Sequence, residues 1–339
     1  MREEIHIDIN KLIIHILDTN LQMPVLSQKE ALLEDDVVQF VGTHIGRIMC
    51  DDGLKTARFG NEESAVKDLC TRIHEDEDCY VEATSQAASM LYDIMLQYPD
   101  IPSGDLVCCL YTVDNHDYLG FMKFNYKNSF IHYVDSEGGS SVNSIVKQKN
   151  ALPGENQKVD ECIMVDLDTM EMKVLEKKYE INGESQFYLS TLFLDTVCQP
   201  SKKERAKAFK KATESFSKKV FADDTRITQE LKTAISEQLE ESPVIELAQV
   251  AESAFKGNDD LKQSYMEHME EAGFTEDVVE IDEATARKAF KKQKIKTDSG
   301  IEITLPYELY KERGAVEFIN NTDGTISIII KNIGKITSM

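Results

Sequence analysis

Apolar positions along the chain recur with two different periods, and the places where the period changes mark its parts. Near the start, Ile5–Ile9 and Lys11–Leu17 alternate apolar and polar residues and read as one or two short β segments. Over residues 28–50, Leu32, Val37, Val38, Val41, Ile45 and Ile48 fall near a spacing of 3.6, which predicts an amphipathic helix. Further helices are predicted over Glu62–His74 and Tyr80–Tyr98, the latter stopped by Pro99 and Pro102. The pattern then shortens. LVCCLYTVD, YLGFMKFNY and SFIHYVD are brief runs rich in β-branched and aromatic residues, with turns expected at Asp114–His116 and at Lys127–Asn128. ECIMVDLD and MEMKVLEKKY predict a further hairpin turning at Asp168-Thr169. The polar stretch Ser136–Lys158 between these runs predicts a loop.

Helical spacing returns at Ser185. Phe187, Leu189, Leu192, Phe193 and Val197 form one apolar face, and Phe209, Phe216 and Val220 form a second along a helix Lys202–Val220. Helices over Ile227–Glu240, Pro243–Phe255 and Asn258–Ala272 follow. The chain closes with three strand-like runs, IEITLPYEL, AVEFINN and TISIIIKN, the last two joined by a turn at Asp323-Gly324. The expected class is α+β: an antiparallel sheet with packed helices over 1–184, a helical segment over 185–283, and a basic linker with a C-terminal β-hairpin unit over 284–339.

Charge adds what periodicity leaves out. The 339 residues carry 61 Asp and Glu against 38 Lys and Arg, a net of −23. A polyanion is not drawn to nucleic acid or anionic lipid by its overall field, so any such contact requires a local basic patch. Two such patches exist. Residues 201–222 hold 8 basic and 2 acidic side chains, a net of +6, and residues 287–296 hold 6 basic and no acidic ones. Between them, residues 227–286 hold 3 basic and 16 acidic side chains, a net of −13; residues 1–100 stand at −12. The first island offers Lys202, Lys203, Arg205, Lys207, Lys210, Lys211, Lys218 and Lys219, and the second Arg287, Lys288, Lys291 and Lys292. A helix buried along Phe209–Phe216–Val220 would present its lysines to solvent. They would either track phosphates or balance acids elsewhere in the fold. The second island, a linker or short helix by its pattern, has the same choice.

Catalytic patterns are missing from the sequence. It has no G-x-x-x-x-G-K-[ST], no G-x-G-x-x-G and no H-E-x-x-H, and its seven histidines show no metal-ligand spacing. His6 and His15, in apolar runs, read as structural. The run Glu75–Asp78 reads as a solvated acidic loop. Asp166 and Asp168, at i and i+2, would share a strand face as in some metal nucleases, but also suit a strand entering a turn. No cofactor or metal is expected. The seven cysteines, with no C-x-x-C pair, read as buried thiols of a reducing compartment. The N-terminal stretch has Glu3, Glu4 and Asp8 where a signal peptide carries positive charge, and no small-residue cleavage site, so it reads as mature, folded protein; the thiols predict a cytoplasmic location. No apolar run approaches the roughly 20 residues of a membrane span.

Several segments together carry a family resemblance: IDINKLIIHILD, MLYDIMLQYPDIPSGDLVCCLYTVDNHDYLGFMKFNY, VDECIMVDLD, FYLSTLFLDTV and IEITLPYELYKERGAVEFINNTDGTISIII. In order and spacing they resemble the bacterial nucleoid-associated protein family of the NdpA or YejK type, over nearly the full chain. The resemblance implies a cytoplasmic, non-enzymatic protein of the nucleoid. It transfers no catalytic residues and assigns no DNA contacts; the basic residues above come from charge alone. Two functions are therefore expected as alternatives. One is non-specific binding of double-stranded DNA through the basic islands, with a homodimer doubling the surface. The other is an acidic interaction module or DNA mimic that binds a basic protein partner.

Overall fold

The computed structural model describes residues 6–60, 64–137, 140–220, 225–280, 292–306, 315–322 and 324–335. It divides into two compact units, Met1–Ser201 and Lys202–Met339. The architecture is α+β, as the alternating periods predict.

In the first unit six strands form one antiparallel sheet in the order β1 (Ile7–Leu17), β3 (Gly104–Val113), β4 (His116–Asn125), β7 (Glu161–Asp166), β8 (Glu171–Leu175), β2 (Lys55–Arg58). The two segments predicted at the N-terminus are one strand, whose register shifts between Ile9 and Lys11; that bulge is the polar interruption seen in the sequence. Helices cover both faces. On one, α2 (Ala65–Glu75) and α3 (Tyr80–Gln97) pack Leu69, Ile73, Ala87 and Leu91 against Leu106, Cys108 and Phe121. On the other, α1 (Asp35–Met49) packs Val41, Ile45 and Ile48 against Val107, Cys109 and Met122. A strand buried on both sides has no polar face, and this is why LVCCLYTV reads as a continuous apolar run. Asp114 and Asn115 both adopt left-handed backbone (φ 51° and 63°), the two-residue turn that joins twisted strands best.

In the first unit four predictions fail, each for a tertiary reason. The first helix begins at Asp35 rather than near residue 28, because residues 25–31 run beside β1: Ile16 and Val25 exchange backbone bonds (2.9 and 3.0 Å), and Ala31 N–H donates to Leu12 O at 2.7 Å. The stretch Ser136–Lys158 is not a loop throughout; β5 (Lys127–Glu137) and β6 (Ser140–Ala151) form a long hairpin, and Lys127–Asn128 is a register irregularity at its base rather than a turn. The apolar face Phe187–Val197 is not one continuous helix either. After β9 (Lys178–Ile181) and β10 (Glu184–Phe187), a single turn of π-helix, Leu189–Phe193, buries Leu189 and Phe193 in the first unit's core and leaves Val197 exposed. The following residues then lie along β2, with Gln199 N–H donating to Thr56 O at 2.8 Å.

The second unit contains four helices among its described residues: α4 (Lys202–Val220), α5 (Thr225–Glu241), α6 (Leu247–Ala254) and α7 (Asp259–Glu271). A small ladder, β11 (Val244–Glu246) with β12 (Val278–Glu280), ties the start of α6 to the segment after α7. Asn258 caps α7 by accepting from Leu261 N–H at 3.1 Å. Gly273, at φ 93°, ends it in the left-handed conformation, with Phe274 N–H donating back to Met269 O at 2.9 Å. Two hairpins follow, β13 (Lys292–Lys296) with β14 (Glu302–Pro306) and β15 (Val316–Asn320) with β16 (Ile326–Ile330). Thus Lys292–Lys296, expected in a linker or helix, is a strand. Gly324 takes φ 84° in the predicted second turn; Asp323 lies outside the described residues.

Candidate nucleic-acid interface

Helix α4 is built from strong helix formers, Lys, Ala and Glu, and starts two residues after Pro200. Ala206, Phe209, Ala212 and Phe216 are buried along one face. That face is held by rings. Phe209 meets Phe274 edge-on at 5.7 Å, and Phe216 lies 5.2 Å from Tyr265 and 5.5 Å from His268. His268 Nε2 also hydrogen-bonds Ala212 O at 3.2 Å. Burying two phenylalanines contributes about 3–6 kcal/mol, which fixes the rotation of the helix and so decides which residues face water.

Charge on the outer side is divided. Lys202 is paired with Glu280 (3.5 Å), Arg205 with Glu276 (3.6 Å) and Lys210 with Glu214 (4.0 Å). Lys203, Lys207, Lys211, Lys218 and Lys219 are exposed and form no ion pair among the described residues. Lys203, Lys207 and Lys211 follow one another at i, i+4 and i+8, and Lys218 lies three turns beyond Lys207 on the same side. These four ammonium groups form a strip about 22 Å long at 1.5 Å rise per residue. Lys219 points to a different side of the helix. Glu214 lies within the strip and is engaged by Lys210. Its carboxylate also faces Lys232 of α5, a half-buried lysine whose pKa is lowered by burial, with Glu214 acting in the opposite direction. Lys232 sits outside the basic run in sequence and has no signal there.

The second island is not brought to this strip by any described contact. Arg287, Lys288 and Lys291 lie outside the described residues, and Lys292 begins β13, its backbone opposite Pro306.

The other candidate residues have local duties. Asp166 Oδ1 accepts from the backbone N–H groups of Asp168 (3.0 Å) and Thr169 (2.9 Å), so this carboxylate closes the β7–β8 turn. Asp76 accepts from Asp78 N–H at 3.0 Å, and Glu77 pairs with Lys11 at 3.2 Å. Among the described residues no three His, Cys, Asp or Glu side chains gather as a metal site. His6 is exposed and bonds Asp8 at 3.0 Å, whereas His15 is buried, accepting from Ser27 N–H at 3.3 Å through Nδ1. An open cleft of about 880 Å³ is lined by Thr56, Arg58, Glu171, Asp195 and Gln199; Glu171 engages its Arg58. All seven thiols are free, and Cys70 is pushed up to about 12 by burial.

The chain is thus a two-unit α+β protein with a solvent-facing lysine strip on a packed helix. Residues 13–336 match the family model described as nucleoid-associated protein YejK, and the chain belongs to that family. It is therefore one of the nucleoid-associated proteins of bacteria. A comparison with curated individual proteins gives no match. No helix among the described residues is long and apolar enough to cross a membrane.

Proposed function

We propose that this protein binds double-stranded DNA directly and without sequence preference in the cytoplasm, through the strip Lys203, Lys207, Lys211 and Lys218. Lys219 and the paired Lys202, Arg205 and Lys210 flank the strip. Arg287, Lys288, Lys291 and Lys292 supply a second basic segment. The observation that carries this reading is the row of unpaired lysines on a helix whose opposite face is locked by Phe209 and Phe216. Lysines placed this way neutralise phosphates and release counterions without touching base edges, so the action is binding, with no bond made or broken. A homodimer would double the strip. Salt titration of a gel-shift or anisotropy assay should give a log–log slope of about −0.9 per phosphate neutralised. The variant Lys203→Glu, Lys207→Glu, Lys211→Glu should weaken all duplexes alike and flatten that slope by about 2 to 3. Unchanged binding by the triple variant would overturn the assignment.

A second reading has its own observation. Asp260, Glu267, Glu270 and Glu271 are exposed on α7, within the block of net −13. Such a surface fits a basic protein partner, with the chain acting as a DNA mimic. Neutralising these four carboxylates to amides would abolish partner capture under this reading and leave DNA binding intact or stronger under the first.

A further inference from the structure

The hairpin β5–β6 pairs only with itself among the described residues, as a separate two-stranded sheet. Its base is held to the first unit. Tyr126 N–H donates to Ser103 O at 3.0 Å and Tyr126 OH to Asp105 at 2.6 Å; on the return side Arg47 Nη2 donates to Asn156 Oδ1 at 2.9 Å. Beyond that base the cross-strand register sorts residues into two rows, one on each face. Phe130 is opposite Lys147, His132 opposite Ile145 and Val134 opposite Asn143, and these six share a face. All six are exposed, Phe130 to 69% and Ile145 to 79%. Lys149, also exposed, follows Lys147 at i+2 and so continues the same row. Neither lysine forms an ion pair among the described residues. Asp135 and Glu137 are in register with Val142 and Ser140, which assigns them to the other row. The row of Lys147 therefore holds cations, apolar residues and an amide, and no carboxylate.

We propose that this ribbon is a further DNA-contacting element, an arm that lies along a duplex with the row of Lys147 against it. The inference rests on the direct DNA binding proposed above and adds a contact in the other unit. Charge selects the occupant. In a chain of net −23, residues 127–134 and 143–151 hold Lys127, Lys147 and Lys149 and no acidic side chain. This basic segment is hidden in a linear count, because Asp135 and Glu137 stand between its halves; the alternation of the strands separates them by face. An exposed cationic row in an acidic protein is a local attractor for a polyanion. Size fits a groove. Two paired strands with their side chains are about 10 Å across, which matches the major groove, about 12 Å wide, and exceeds the minor groove, about 6 Å. There Phe130, Val134 and Ile145 would meet base edges and thymine methyl groups, removing apolar surface from water, while Lys147 and Lys149, nearer the base of the arm, reach phosphates. Asn143 in the same row can hydrogen-bond a base edge, whereas in lipid its amide would be a cost, and this favours a duplex over a membrane surface.

The chain has no tryptophan, so Phe130→Trp places a single reporter on the arm of the full-length protein. Its emission should shift to the blue and be quenched on titration with a short DNA duplex, over the range in which anisotropy of a labelled duplex reports binding. Lys147→Ala with Lys149→Ala should weaken the duplex about 10-fold at physiological salt and lower the log–log salt slope by about 2. Phe130→Ser with Ile145→Ser should weaken it about 5-fold and leave the slope unchanged, since an apolar contact releases no counterion. All four side chains are exposed, so melting temperatures should stay near that of wild type. Emission that stays constant while the duplex binds, emission that responds to phosphatidylglycerol vesicles and not to DNA, or a salt slope indifferent to the lysine pair would each overturn the proposal. The two readings fail separately. A silent reporter with binding that still depends on Lys203, Lys207 and Lys211 removes the arm and leaves the α4 strip. A responding reporter with binding indifferent to those three lysines removes the strip and leaves the arm.

Discussion

The sheet of the first unit and helix α4 of the second treat lysine in opposite ways. Lys123 of β4 is fully buried with Glu161 of β7, its directly opposed partner across the ladder, at 3.1 Å. Its ammonium also donates to Pro102 O at 2.8 Å and to Asn125, and Asn125 in turn donates to Glu161 at 2.8 Å. Burial pulls the Lys123 pKa down, and the Glu161 carboxylate opposes this. In α4 the lysines stand in water on the far side of a helix that buries one stripe. The difference teaches that the number of faces an element buries decides what a charge on it can do. A strand covered on both sides must neutralise its lysine internally. A helix covered on one side leaves its lysines available to a partner.

The largest expected effect follows from breaking the buried pair. Lys123→Met leaves Glu161 charged and uncompensated, and should cost about 3–5 kcal/mol in urea denaturation. Adding Glu161→Leu should recover much of that loss, since an apolar pair of similar volume has no charge to desolvate. If the double variant is as unstable as the single one, the two side chains do not act as a pair.

Next comes the first unit's buried histidine. His15 is lowered to about 4 by desolvation, and its Nε2 has no hydrogen-bond partner among the described residues. A base whose folded pKa lies below the unfolded value of 6.5 contributes its stability above pH 6.5 and loses it as pH falls toward 4. The loss amounts to about 3 kcal/mol over that window. His15→Phe should flatten the decline in melting temperature between pH 6.5 and 4 relative to wild type. An unchanged profile would show that this imidazole titrates normally. The smallest stability effect belongs to α4. The Lys203, Lys207, Lys211 triple reversal should shift unfolding by only about 0.5 kcal/mol per site or less while it weakens the proposed DNA binding. A shift as large as that of Lys123→Met would mean that these lysines serve the fold.

Legibility in the sequence followed the same division. Helix α4 was readable to its ends, because its residues are helix formers and its Phe209–Phe216 stripe repeats at helical spacing. Helix α3 and the Asp114-Asn115 turn were readable for similar local reasons. The β5–β6 ribbon was not. Its polar return strand is a strand only because the chain folds back on residues 127–137, and no local preference of Ser140–Ala151 announces it. The π-helical turn at Leu189–Phe193 also deceived, since apolar residues at helical spacing can equally be inserted one turn deep into a core. As for the site, the sequence located the basic run but could not separate its members. Glu276 and Glu280, some 70 residues away along the chain, neutralise Arg205 and Lys202 and leave Lys203 and Lys207 unpaired.

The amino-acid sequence by itself determined the α+β class, the extents of α3 and α4, and the presence of two basic segments in a polyanion. These are set by period, propensity and count, which are properties of neighbours along the chain. Only the tertiary structure decided that Lys123 is buried opposite Glu161, that four lysines of α4 share one open side, and that an apolar ribbon stands out from the first unit. Those outcomes depend on which distant residues approach one another, and burial and charge pairing are properties of that approach.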